Sequence, residues 1–91
     1  MSGFDQIEAG FVRLLASASS VLTETELAEI SHFVDVGEYG LALQTAVDVF
    51  VEQRKRPPVE VVSLVEELSR SMGMEPAFLV QRLQKADLNR G

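Results

Sequence analysis

Apolar residues recur three and four positions apart along almost the whole chain, which is the period of a helix buried on one face. Phe4, Ile7, Phe11, Leu14 and Leu15 share one face of a first helix. Ser17-Ala18-Ser19-Ser20 then interrupts the pattern with small residues and reads as a loop. Thr23 with Glu26 three residues on is a capping-box signal for a second helix. Leu27, Ile30 and Val34 form its inner stripe, with Phe33 at the flank, and Gly37 is placed to end it. Tyr39, Leu43, Ala46, Val47 and Phe50 mark the inner face of a third helix. The turn between the two is so short that they must form an antiparallel hairpin. Ala42 and Ala46 leave room for a close neighbour.

Arg54-Lys55-Arg56-Pro57-Pro58 is the clearest break, because proline disfavours helix in the residue before it. It reads as a solvated connection. Pro58 can open a fourth helix, lined by Val61, Leu64, Val65, Leu68 and Met72. Gly73 should close that helix, with Met74 folding back in a Schellman contact. Pro76 opens a short fifth helix with Leu79, Val80 and Leu83 inward, and the tail from Asp87 should fray. The expectation is a single all-α domain over residues 1–91. It is a compact bundle of four main helices plus a short C-terminal one, at about 4–17, 24–36, 38–53, 58–72 and 76–86, with a central antiparallel hairpin.

Charge changes this picture more than composition does. The net charge is −6, but residues 1–53 hold nine acids against Arg13 alone, while residues 54–91 hold five acids and seven basic residues. An acidic front half repels nucleic acid and anionic membranes and favours a cationic partner. There is no cysteine, so packing must supply stability, as suits a cytoplasmic protein. No signal-peptide pattern opens the chain, and no apolar run reaches the roughly 20 residues of a membrane span.

Candidate chemistry is sparse. The lone histidine, His32, lies about 140° around its helix from Leu27 and should be exposed. No Gly-rich phosphate loop, zinc set or calcium loop is present, so no catalytic residue, metal site or cofactor is expected. Asp48 and Glu52 stand at i and i+4, where like charges crowd on the outer face of the third helix.

One segment is distinctive: Phe33-Val34-Asp35-Val36-Gly37-Glu38-Tyr39-Gly40-Leu41-Ala42-Leu43. It combines a helix end, a glycine stop, an acid at the next helix start, an aromatic anchor and a small packing residue. Tyr39 can pack its ring while its hydroxyl reaches water. The segment resembles the MafI-type immunity proteins of bacterial polymorphic toxin systems, which are small, acidic and helical. The likeness extends over most of the chain, from the Thr-capped second helix through Gly37-Glu38-Tyr39 to Met72-Gly73-Met74. A tetratricopeptide helix pair places Gly, Tyr and Ala similarly but needs at least three repeats, and none is visible.

The resemblance implies a protein that binds a cognate toxin domain, such as a nuclease, and blocks it by occlusion. The residues expected to bind are Glu29, Asp35, Glu38, Asp48 and Glu52, with Tyr39 as aromatic anchor. The alternative is a non-catalytic adaptor or homodimer using Val36, Leu41, Val49 and Val62 as a second apolar surface. A third reading, nucleic-acid binding through residues 54–56, is disfavoured by the net negative charge.

Overall fold

The computed structural model describes residues 3–88, with side chains described over 5–85. Among these residues five helices follow one another: α1 (Gly3–Ala18), α2 (Glu24–Asp35), α3 (Tyr39–Glu52), α4 (Val59–Ser71) and α5 (Pro76–Leu88). Their boundaries fall within two residues of those expected. Two particulars differ. The fourth helix starts at Val59, with Pro58 as its N-cap rather than its first turn. The fifth is not short: it has 13 residues, as many as α4. Its apolar stripe is brief, but Gln81, Arg82, Gln84 and Lys85 are good helix formers and extend it. The fraying expected from Asp87 falls on residues of which 89–91 lie outside those described, and Asp87 and Leu88 still belong to α5.

Each helix touches two main neighbours, in the cyclic order α1–α4–α5–α3–α2 and back to α1. The molecule is elongated, with principal extents of 44 × 27 × 18 Å. The core collects the predicted stripes. Phe11, Leu14, Ile30, Leu43, Val47, Phe50, Val61, Leu64, Val65, Leu79 and Leu83 are all almost wholly buried. Phe4 lies outside the described side chains. Ala18, read as loop, is instead the buried last residue of α1. Its carbonyl accepts from the amides of Val21 and Leu22, folding the chain back at once. Leu22, also buried, stands at the position before the α2 N-cap, with Leu27 opposite as in a hydrophobic staple. Gly10 lets α1 approach α4: a Cβ there would lie 2.7 Å from Leu68 Cδ2.

Three helix ends repeat one backbone device. After α2, the Glu38 amide donates to Phe33 O (2.8 Å) and the Gly37 amide to Val34 O (3.1 Å). After α4, Met74 donates to Ser69 O (2.8 Å) and Gly73 to Arg70 O (3.1 Å). After α3, Lys55 donates to Phe50 O (3.0 Å) and Arg54 to Val51 O (3.3 Å). These are Schellman motifs, which satisfy carbonyls that a helix end otherwise leaves free. The left-handed residue is glycine in the first two, with φ of 79° at Gly37 and 72° at Gly73. In the third it is Arg54, at φ 53°.

Candidate partner-binding surface

The α2–α3 hairpin carries the six residues expected to bind. Glu29 and Asp35 are exposed on α2, about 120° apart around its axis, so they flank its outer face rather than form one point. Thr25, Ala28 and His32 lie between or beside them and are likewise exposed. Glu38 is the exposed N-cap of α3, and its side chain makes no capping hydrogen bond. Glu52 is exposed in the last turn of α3. Among the described residues no salt bridge engages Glu29, Asp35, Glu38 or Glu52.

Asp48 behaves differently. It was expected to crowd Glu52 on an open face. Instead Arg82 of α5 reaches it, with Nη2 2.7 Å from Oδ1. The ion pair is partly exposed, offsets the repulsion from Glu52 and ties α5 to α3. Sequence spacing held no signal for this partner, which is 34 positions away.

Tyr39 also departs from expectation. Its hydroxyl does not simply reach water; it donates to Glu8 Oε2 at 2.7 Å. Its ring stacks on Phe11, with centroids 6.1 Å apart and planes 21° from parallel. The hydrogen bond to Glu8, then loss of hydration and the charges of Glu8 and Asp5, raise the Tyr39 hydroxyl above its ordinary value. Tyr39 is thus a half-buried strut between α3 and α1. Glu8 is the neighbour of Tyr39 that sequence reasoning missed.

The opposite end of the hairpin is closed by charge. Glu26 and Thr23 complete the capping box: Glu26 N donates to Thr23 Oγ1 (3.2 Å) and Thr23 N to Glu26 Oε1 (2.9 Å). Lys55 Nζ donates to the same Oε1 (2.9 Å) and to Val21 O (3.2 Å). The Thr23 amide foremost, and Lys55 next, hold the Glu26 carboxyl below its usual range. The basic connection is therefore not merely solvated. Its central lysine is only 24 % exposed and clamps the α3–α4 junction to the α1–α2 turn.

Apolar exposure is scattered, and Val59, Val12 and Phe78 are the most exposed, at 84 %, 66 % and 63 %. Val36 and Leu41, 57 % and 47 % exposed, flank the α2–α3 turn, whereas Val49 and Val62 are half-buried. The second apolar surface expected from these four is thus split between the turn and the bundle. Behind the turn runs an open groove of about 490 Å³, lined from the start of α1, the α2–α3 turn and the α4–α5 turn. Among the described residues no three His, Cys, Asp or Glu side chains converge as a metal site, and no helix is long and apolar enough to cross a membrane. His32 is exposed, its ring 5.7 Å from that of Phe33. Comparison of the chain with family models, with curated proteins and with solved structures found no match.

Proposed function

We propose that this protein is a MafI-type immunity protein, which binds a cognate toxin domain through the outer face of its α2–α3 hairpin and blocks it by occlusion. It catalyses no reaction, needs no cofactor and acts in the cytoplasm. The observation that carries this reading is the set of exposed carboxylates, Glu29, Asp35, Glu38 and Glu52, with no salt-bridge partner among the described residues. Charges left in water on one hairpin cost little in isolation and favour encounter with a basic surface, such as the substrate cleft of a nuclease. Asp48 plays a lesser part because Arg82 already holds it. Nucleic acid is the less favoured partner, because Lys55 is committed to the clamp.

The test is co-expression with the C-terminal domain of the protein encoded immediately upstream. Growth should be rescued, and a 1:1 complex should form more slowly as salt is raised. The combined variant Glu29→Lys, Asp35→Lys, Glu38→Lys and Glu52→Lys should lose both rescue and salt dependence while remaining helical. Killing that is equal with and without the wild-type chain overturns the reading. The exposure of Val36 and Leu41 favours a second reading, a homodimer through the turn. Sedimentation at micromolar concentration separates the two, since a monomer removes it.

A further inference from the structure

Gly40 has no structural reason to be glycine. It sits in the first turn of α3 with ordinary helical backbone and no positive φ. A Cβ placed on it meets nothing within 4 Å. Glycine weakens a helix relative to alanine, so the residue lowers stability with no gain in packing. Gly37, two positions before α3, is different: its φ of 79° favours glycine. With no side chain at position 40, the start of α3 leaves open space beside its backbone.

That space belongs to the groove of about 490 Å³ behind the turn. Ile7, Met72 and Met74 contribute an apolar lining from two other elements. Tyr39 forms a wall, and it is held before any partner arrives by its stack on Phe11 and its hydrogen bond to Glu8. The rim is acidic. Glu38 lines the groove and is exposed, Glu8 is fixed against Tyr39, and exposed Asp5 is close enough for its charge to act on the same hydroxyl. Methionine side chains adapt to the shape laid over them, and a lysine or arginine stem can cover apolar surface while its charged head meets carboxylates. Fixing the aromatic wall in advance lowers the ordering cost of binding.

We propose that this groove is the docking site for a basic segment of a protein partner, with one Lys or Arg stem lying over Met72 and Met74 and its charge among Glu8 and Glu38. The identity of that partner as a toxin rests on the function proposed above; the groove itself does not. A second copy of this chain is a poorer occupant, since both surfaces would carry the same acidic rim.

The test is Gly40→Leu, in which the new side chain starts in open space on a helix it favours and extends into the groove. The variant should unfold at the same temperature as wild type or higher. Its affinity for the upstream-encoded toxin domain should drop about tenfold or more, as for a contact at the centre of an interface. In parallel, the full chain is titrated with a nona-arginine peptide and followed by amide NMR shifts. Shifts should concentrate at Ile7, Gly37 to Gly40 and Met72 to Met74, and should vanish in Gly40→Leu. Equal binding of the toxin domain by wild type and Gly40→Leu overturns the groove and leaves the immunity reading intact. A wild-type chain that ignores the domain but keeps the peptide footprint overturns the immunity reading and leaves the groove. Peptide shifts spread evenly along α2, or unchanged in the variant, count against the groove in either case.

Discussion

The turn after α2 and the turn after α3 share one backbone and differ in what they present. Both are Schellman motifs with the same pair of amide-to-carbonyl bonds. After α2 the left-handed residue is Gly37 and the next is Glu38, exposed and without a capping bond. After α3 the left-handed residue is Arg54 and the next is Lys55, which is locked onto Glu26 and the Val21 carbonyl. One turn is relaxed in backbone and open in side chain. The other accepts a strained backbone and uses its side chain to close the bundle. The lesson is that the motif ends a helix, while the residue just beyond it decides whether that end is tied into the fold or left open to solvent.

The comparison breaks most sharply at Gly37. Gly37→Ala forces a Cβ into the left-handed region and should cost about 1.5 kcal/mol. On a domain of this size that lowers the thermal midpoint by roughly 6–12 °C. Next comes Lys55→Met, which keeps the stem but removes the charged donor from Glu26 and Val21 O. A loss of about 1 kcal/mol is expected, below the full value of a buried charged hydrogen bond because the site is partly exposed. The same variant should weaken the pH dependence. The folded-state carboxyl of Glu26 is held below its ordinary value of 4.5, so the stability it contributes is present above that value. It is lost as the pH falls through the lowered folded value. In Lys55→Met this acid-side loss should shrink but persist, because the Thr23 amide remains; denaturant unfolding between pH 6 and pH 3 reads it.

Two smaller changes should run the other way. Gly40→Ala, only three residues from Gly37, should stabilise by about 0.7 kcal/mol, since it gains helix propensity and meets no neighbour. A loss of stability there would mean that Gly40 has an internal role after all. Arg54→Gly should relieve the left-handed strain and gain about 0.5 kcal/mol, part of the relief being returned through the more flexible unfolded chain. Urea midpoints at constant slope separate these modest gains from changes in the unfolded state.

Most of the fold was legible because helix period, caps and stops are local. Thr23 and Glu26 cap α2, Gly37 and Gly73 close α2 and α4 in left-handed turns, and the stripes from Ile7 to Leu83 form the core. Errors fell where local signals are weak. Ala18 looked like loop because small residues surround it, and α5 looked short because its later turns are polar. The candidate surface was legible only as a set of exposed residues. That Glu29, Asp35, Glu38 and Glu52 lie exposed follows from helical spacing, and the structure places them so. That Asp48 is taken by Arg82, and Tyr39 by Glu8, does not follow from any spacing.

What the amino-acid order determined by itself was therefore the helices, their ends and their buried faces, since these depend on interactions within a few residues. Only the tertiary structure decided which charges are spent. The Lys55 clamp, the Asp48–Arg82 pair and the Tyr39–Glu8 bond join residues 29 to 34 positions apart. It also decided that the start of α1, the α2–α3 turn and the α4–α5 turn meet around one groove. Such meetings arise from how helices pack, and a one-dimensional pattern carries no term for the distance between their ends.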